Sequence, residues 1–108
     1  MENGLVVLVT AGSEAEAREL AKHLLQEKLI ACANLMPVNS LYMWEGEMQD
    51  DGEVLMIIKT RSEVFKDRLL TAIKAKHSYD VPEIIAMPIV MGSQDYLRWI
   101  VEQTPEPK

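Results

Sequence analysis

Cysteine, positive charge and long apolar runs are all scarce in this chain. Cys32 is the only cysteine, which excludes a disulfide within the chain and a zinc site built on paired cysteines. The chain has 11 basic and 17 acidic residues, for a net charge of -6. This balance argues against nucleic acid or an anionic membrane as partners. No apolar run approaches the roughly 20 residues of a membrane-spanning helix, and no secretory signal pattern opens the chain. These absences predict a cytoplasmic protein.

The residues that are present suffice for one small domain. The chain has 108 residues, of which 48% are hydrophobic, so it can build a real but limited core. A domain of this size leaves much of its surface exposed. Association with further copies is therefore a natural way to bury more apolar area.

The first part of the chain predicts a buried strand followed by a helix. The run "GLVVLVTA", residues 4–11, is continuously apolar and rich in valine, which is typical of a covered central strand. Ser13 and Glu16 then have the spacing of a capping box, and an apolar stripe of helical period follows them. The pattern predicts a helix from about Ser13 to Lys28.

Two extended arms around a tight turn at Gly46 come next, from about Ala31 to Glu45 and from Glu47 to Arg61. Pro37 indicates an edge strand or a bulge in the first arm. The composition of Asp50-Asp51-Gly52 predicts a second turn or bulge. At roughly 3.3 Å per residue, even ten residues per arm form a ribbon of about 33 Å, longer than most strands. We expect its aromatic outer end to project from the domain and to be covered by a neighbouring subunit.

A second helix and a fourth strand complete the domain. The apolar stripe predicts a helix over 62–76, capped by Thr60 or by its own first serine. A strand over 83–90 and a short third helix follow. The order strand, helix, strand, strand, helix, strand predicts an α+β domain of the split βαβ plan, an antiparallel sheet with two helices on one face. The prediction is a single domain over 1–104 with a frayed tail at 105–108.

The stretch "KAKHSYDVPEI", residues 74–84, gathers polar side chains just past the second helix. His77 has two interpretations. A neutral imidazole there is a candidate metal ligand. Alternatively the histidine shapes the end of the helix, where a positive charge also suits the helix dipole.

Two further sets of residues have both a chemical and a structural interpretation. Cys32, Asn34 and Met36 alternate on one strand face, where a thiol and a thioether suit a soft metal such as Cu(I). Both side chains also serve as ordinary core filling. Lys59 ends one strand and Glu83 opens another, so they either pair at the sheet margin or line a polar cleft.

Motifs for catalysis are missing from the sequence. It contains no GxGxxG or GxxxxGK[ST] pattern, and no Ser-His-Asp set can be assembled from it. The residues therefore predict neither an enzyme nor an obligatory cofactor.

Four segments together give the chain a family resemblance. They are "ACAN" at 31–34, "SLYMWEG" at 40–46, "KT" at 59–60 and "HSYDVPE" at 77–83. With "YLRWI" near the end, they resemble the divalent-cation tolerance proteins, the CutA family, over nearly the whole chain. The resemblance implies a ferredoxin-like fold and a homotrimer arranged as in the PII signalling proteins, with the long ribbon packed on the next subunit.

The resemblance also implies polar clefts between subunits. Carried onto this chain, the residues that line them are Cys32, Tyr42, Trp44, Lys59, His77, Tyr79 and Glu83. The copper ligands proposed in some bacterial members are a first-strand cysteine and two adjacent histidines after the second helix. Here those positions hold Val9 and Lys76-His77, so one ligand of the three remains.

Two hypotheses about function follow from the residues and the resemblance. The first is a metal-response protein that binds a divalent cation such as copper, through His77 with carboxylates or through the acidic end of the ribbon. The acidic residues meant there are Glu45, Glu47, Asp50, Asp51 and Glu53. The second is a trimeric signalling or scaffold protein that holds a small anionic metabolite or a protein partner in the clefts, with Lys59 as the anion contact. Acid-base chemistry by His77, Tyr79 and Glu83 is a weaker third hypothesis.

Overall fold

The structure, a computed structural model, describes residues 3–107. We number the elements of this range as β1–β4 and α1–α3. They are β1 Gly4–Ala11, α1 Glu14–Gln26, β2 Cys32–Trp44, β3 Glu47–Arg61, α2 over 62–76, β4 Ile84–Pro88 and α3 Gln94–Gln103. All strand pairs are antiparallel and the sheet order is β2-β3-β1-β4. The predicted α+β, ferredoxin-like plan with an additional C-terminal helix is confirmed.

One face of the sheet packs against α1 and α2 and holds the core. Side chains alternate between the two faces of a strand, and the fully buried residues of β1 and β3 all lie on the helix side. The core cluster joins them to helix residues and comprises Val7, Val9, Ala11, Ala17, Leu20, Ala21, Leu24, Leu29, Ile30, Val54, Met56, Ile58, Val64, Leu69 and Ile73. We call this side the helix-covered face.

The other side of the sheet, which we call the open face, is only partly covered. It carries Met36, Ile57, Lys59, Ile85 and Met87, whose strand positions alternate with those of the core. Three of its apolar side chains are exposed, and Ile85 is the most exposed of them at 51%. The uncovered part of this face is therefore an apolar surface within a single chain.

Helix α3 covers one end of the open face. The buried guanidinium of Arg61 fixes the end of α3, since its Nε donates to the Thr104 carbonyl at 2.9 Å and its Nη2 bonds the same oxygen. Glu106 lies 3.4 Å from Arg61 Nη1, within the predicted tail. Lys108, also in that tail, lies outside the described residues.

The β2–β3 hairpin, the ribbon, extends well beyond the rest of the sheet. Residues 54–59 of β3 pair with both β1 and β2, whereas residues 47–53 pair with β2 alone. Glu45 and Gly46 both have positive φ, 53° and 81°, which suits the tight turn of a two-residue hairpin. The predicted long ribbon and its turn at Gly46 are confirmed.

Two predictions about the ribbon have different outcomes. Pro37 is accommodated because β2 is an edge strand, as the sequence indicates. The prediction of a second turn or bulge at Asp50-Asp51-Gly52 is wrong. These residues pair in an unbroken ladder with Leu41, Ser40 and Asn39. Turn-forming composition does not override the continuous pairing on both sides of it.

The ends of the helices differ in detail from the prediction. Ser13 caps α1, and its Oγ accepts from the Glu16 N–H at 3.1 Å as the capping box requires. Thr60 does not cap α2, because it lies inside β3 and donates its hydroxyl to the Leu29 carbonyl at 2.8 Å. Within α2, a π-helical segment, Phe65–Leu69, separates Ser62–Val64 from Leu70–Lys76. Strand β4 ends at Pro88 rather than at residue 90.

Candidate functional site

A groove of about 790 Å³ lies between the outer half of the ribbon and the loop over 77–83. We call it the acidic groove, because four of its lining residues are carboxylates and, among residues 3–107, no lysine, arginine or histidine lines it. The lining residues are Thr10, Asn39, Ser40, Leu41, Tyr42, Trp44, Asp51, Glu53, Tyr79, Asp80, Val81 and Glu83. Volumes of this size are typical of small-molecule sites.

The ribbon forms one wall of the groove. Tyr42 and Trp44 alternate on β2, and the ladder puts Ser40 opposite Asp51, so Tyr42, Trp44, Asp51 and Glu53 share one face of the ribbon. Tyr42 donates its hydroxyl to Asp51 Oδ2 at 2.7 Å. The hydrogen bond to this carboxylate raises the pKa of the Tyr42 phenol above its usual value.

Tyr79 connects the loop to the ribbon at the inner end of the groove. Its hydroxyl donates to Glu53 Oε2 at 2.7 Å, and Glu53 is only 8% exposed. Burial, together with the hydrogen bond to Glu53, strongly raises the pKa of Tyr79. Tyr79 is therefore a neutral donor that holds the Glu53 carboxylate in place.

His77 anchors the loop below Tyr79. Its Nε2 is 2.7 Å from the Thr10 carbonyl oxygen, and its Nδ1 accepts the Tyr79 N–H at 3.0 Å. These two bonds define a neutral imidazole with its proton on Nε2. The side chain is fully buried and does not line the groove. A metal at His77 would have to displace one of these bonds, and its role as a ligand stays a prediction.

Glu16 ties the same loop to the start of α1. Its carboxylate accepts from the Ser78 N–H and from the Ser78 hydroxyl, each at 3.0 Å, and from the Gly12 N–H at 3.3 Å. Partial burial works in the opposite direction, but these hydrogen bonds hold the pKa of Glu16 below its ordinary value. The wall of the groove that carries Tyr79 is thus fixed to the helical layer.

Two of the residues predicted to line clefts between subunits lie away from the acidic groove of their own chain. Cys32 and Lys59 face each other across the β2–β3 ladder, six residues of β3 away from Glu53, which is roughly 20 Å. Cys32 Sγ lies 3.4 Å from the Tyr96 hydroxyl of α3, and this contact with burial raises the pKa of Tyr96 to about 12. The Lys59 ammonium is bonded to the side chain of Asn34.

The predicted meeting of Lys59 with Glu83 is wrong. Strand β4 pairs with β1 and not with β3. Lys59 lies opposite Val6, whereas Glu83 precedes Ile84, the partner of Val9. Within one chain, only Tyr42, Trp44, Tyr79 and Glu83 of the predicted cleft residues come together.

Sequence reasoning missed Asp80 as part of the groove and placed Asp51 and Glu53 only in a general acidic end of the ribbon. The alternation of side chains along the strands would have predicted the positions of Asp51 and Glu53. Counting outward from the turn in steps of two from Trp44 and from Glu47 leads to Tyr42, Asp51 and Glu53 on the same face. Asp80 had no such signal, because its position depends on how the loop crosses the ribbon.

Within residues 3–107, no three His, Cys, Asp or Glu side chains are grouped closely enough to hold a metal ion. In the same range, no helix is long and apolar enough to cross a membrane.

Comparison with known proteins identifies the family of this chain. The family model "CutA1 divalent ion tolerance protein" matches residues 5–103. The chain belongs to the CutA1 family. The resemblance seen in the sequence is therefore confirmed over almost its full length.

The relatives come from bacteria, archaea, plants and an animal. The divalent-cation tolerance protein CutA of Thermus thermophilus is 46% identical over 100 residues, which cover 92% of this chain and 96% of that protein. The rice protein CutA 1, named chloroplastic, is 46% identical over 103 residues, but the match spans only 58% of its length. These CutA relatives are named as tolerance proteins or simply as CutA, and not as enzymes.

Solved structures share the same fold. The Thermus thermophilus Cut A1 structure has a TM-score of 0.90 at 45% identity and covers 94% of this chain and 99% of its own. The structure titled periplasmic divalent cation tolerance protein CutA from Archaeoglobus fulgidus has a TM-score of 0.90 at 43% identity, with coverages of 97% and 100%. Members of the family thus carry different compartments in their names.

Proposed function

We propose that this CutA1 family member acts in tolerance of divalent cations by binding them, copper among them, at the acidic groove of a homotrimer. The observation that carries the proposal is the charge of the groove. Asp51, Glu53, Asp80 and Glu83 line it with no basic residue from the described part of the chain, and carboxylate oxygens are ligands for divalent cations. The cytoplasmic location stays a prediction.

The trimer is proposed from the apolar surface that one chain leaves uncovered. Met36, Ile85 and Met87 are exposed on the open face, and Met43 and Met48 at the ribbon tip are 61% and 75% exposed. A small domain rarely leaves such side chains bare in its working state. Packing of each ribbon on the next subunit would cover both regions at once.

The proposed trimer also accounts for the incomplete metal site. No group of three suitable side chains stands together in the described part of one chain, whereas a divalent cation needs several ligands. A neighbouring ribbon brings further carboxylates, such as Glu47 and Asp50, toward the groove. We propose that the cation site is completed between subunits.

Native mass spectrometry with and without Cu(II) tests this proposal. The variants Asp51→Asn and Glu83→Gln remove charge from the groove, and Asp95→Asn on α3, whose side chain is 94% exposed, is the matched control. We expect a trimer whose copper uptake falls in both groove variants and persists in the control. Copper uptake that is lost only in His77→Gln would show that the site is at His77 and not in the groove. A chain that takes up no copper would contradict the proposal.

A second function, a trimeric signalling or scaffold protein with a small molecule in the groove, is favoured by one observation. The groove has the volume and the aromatic wall of a small-molecule site. An anionic metabolite does not fit it, because Lys59 lies outside the groove and is bonded to Asn34. A ligand of this second kind has to be a cation or a neutral molecule.

A further inference from the structure

We propose that Asn3 is a site of spontaneous chemical modification, at which the side-chain amide is lost as ammonia and the residue becomes aspartate or isoaspartate. The site is independent of the acidic groove and of the proposed cation. Asn3 contacts the start of α2, in the helical layer. The proposed trimer buries the open face and the ribbon, so it does not cover this position.

The residue that follows Asn3 favours the reaction. The chain has three asparagines, Asn3, Asn34 and Asn39, and asparagine is a thermally labile residue type. The backbone nitrogen of the next residue attacks the side-chain carbonyl carbon and closes a five-membered imide. A side chain on that next residue obstructs the attack. Gly4 has none, whereas leucine and serine follow the other two asparagines.

The backbone also distinguishes Asn3 from the other asparagines. Asn34 and Asn39 lie within β2 and pair with β3, and this pairing fixes the backbone that ring closure has to distort. Asn3 precedes β1, is exposed and has a φ of 73°. Its backbone is therefore the least constrained of the three.

The nitrogen of Gly4 is not held by the pairing of β1 with its neighbours. The Ser62 N–H donates to the Asn3 carbonyl at 2.7 Å, so Gly4 and Arg61 form a non-hydrogen-bonded pair of the ladder. On the other side, the pairing of β1 with β4 ends at Leu5. Gly4 itself is buried. Its nitrogen therefore reaches the Asn3 side chain only when the end of β1 opens, and the ends of elements are where local opening costs least.

Glu63 restrains the reaction in the folded chain. Asn3 donates its side-chain amide to Glu63 Oε2 at 2.7 Å, and this bond limits the rotation that ring closure requires. Hydrogen bonds from its own backbone N–H and from the Asn3 amide hold the pKa of Glu63 below its usual value. The acceptor is therefore a carboxylate at neutral pH. Both residues are exposed, so water competes for the bond and the restraint is partial.

The covalent steps need water as the only reagent. The Gly4 nitrogen forms a bond to Cγ of Asn3, the bond from Cγ to Nδ2 breaks, and the Gly4 proton leaves with the amide as ammonia. Water then opens the imide. Opening at Cγ gives aspartate. Opening at the former main-chain carbonyl gives isoaspartate, in which the main chain runs through the side chain.

Both products weaken the join between β1 and α2. The first turn of α2 has no side-chain cap, and its Ser62 N–H is bonded to the Asn3 carbonyl. Either product replaces the amide donor with a carboxylate opposite Glu63, where the two like charges repel. Isoaspartate also takes the Asn3 carbonyl out of the main chain. We therefore expect faster amide hydrogen exchange at the start of α2 in the modified protein.

Peptide mapping by mass spectrometry, after incubation of the intact protein at neutral to mildly alkaline pH, tests the inference. We expect progressive loss of the Asn3 amide, with separate aspartate and isoaspartate peptides, while Asn34 and Asn39 keep their amides. Asn3→Gln keeps an amide on a longer side chain that closes this ring poorly, and it should stay unmodified. Retention of the Asn3 amide would overturn the inference. Equal loss at all three asparagines would also overturn it.

Two further variants test the part assigned to Glu63 and to the join. Glu63→Ala removes the restraint and should speed the loss of the Asn3 amide severalfold, whereas Asp67→Ala, at an exposed position of the same helix, should not. Equal rates in the two variants would contradict the role of Glu63. Asn3→Asp imitates one product and should speed hydrogen exchange at Ser62 and Glu63. Unchanged exchange would show that the join does not depend on the amide.

Discussion

The two faces of the sheet are made from the same strands and similar side chains, yet only one of them is finished within a single chain. On the helix-covered face, Met56 and Ile58 are fully buried. On the open face, Met36 and Ile85 lie about half exposed although they come from the same sheet. Strands that are apolar on both faces are normally covered on both. The difference teaches that this chain carries a core and, separately, an apolar surface that a single chain leaves uncovered.

Truncation of Met56 should have the largest effect on the stability of the chain itself. Met56→Ala leaves a cavity in the helix-covered face and should lower the free energy of unfolding by about 2–5 kcal/mol. Urea denaturation at several protein concentrations measures it. Met36→Ala on the open face is the comparison, and its effect should grow as the protein is concentrated. If both variants lost the same free energy of unfolding at every protein concentration, the two faces would not differ in the way proposed.

A charge on the open face should change assembly more than folding. Ile85→Lys places an ammonium group in the proposed interface and should yield a folded monomer, because Ile85 is half exposed in one chain. Light scattering after size-exclusion chromatography gives the mass, and circular dichroism reports the fold. Leu25→Lys, at an exposed position of α1, is the control and should keep the oligomer. An unchanged mass for Ile85→Lys would show that the open face is no interface.

The Thr60 hydroxyl makes a buried hydrogen bond at the edge of the helix-covered face, and its removal measures what this bond contributes to stability. Thr60→Val keeps the shape of the side chain but leaves the Leu29 carbonyl without its buried donor. We expect a loss of about 1–3 kcal/mol in the free energy of unfolding. The same measurement on Ser62→Ala, where the serine does not cap α2, should change little. A loss of the same size in both variants would argue against the specific role of Thr60.

Glu16 should make the free energy of unfolding depend on pH, and this should be the smallest of the four effects. Its pKa is lower in the folded chain than its ordinary value of 4.5, so its stabilising contribution is complete above that pH. The contribution is lost as the pH falls through the lower folded-state pKa. Urea unfolding at about pH 7 and about pH 3 should show a smaller acid loss in Glu16→Gln than in the natural chain. An identical acid loss would mean that the Ser78 bonds do not favour the ionised form.

The element order and the core followed from periodicity. The apolar runs of β1 and β3 and the stripe of α1 each predict their own structure locally, and the capping serine at Ser13 is also a local feature. Such patterns are readable because the side chains that define them are neighbours in the sequence or lie one turn apart. The length of the ribbon was readable for the same reason.

The site was less predictable, because it depends on contacts between distant parts of the chain. The family motif grouped Cys32 and Lys59 with Tyr79 in a cleft between subunits. Within one chain, however, the ladder places Cys32 and Lys59 six residues of β3 away from Glu53, which Tyr79 contacts. Asp80 reaches the groove only because His77 and Glu16 fix the path of the loop. The composition of Asp50-Asp51-Gly52 suggests a turn, and only the register shows that the strand continues.

The position of β1 in the sheet has a consequence for synthesis on the ribosome. It is made before the other three strands, yet it lies between β3 and β4 and pairs with both. An apolar strand must therefore wait without a partner until β3, which begins at Glu47, has been made, and its second edge stays open until β4. Unpaired apolar strands are the segments that aggregate and that chaperones bind. The nascent chain is thus most vulnerable before its long hairpin is complete, and helix α1, which is made next and packs on β1, can shield one face of the strand in the meantime.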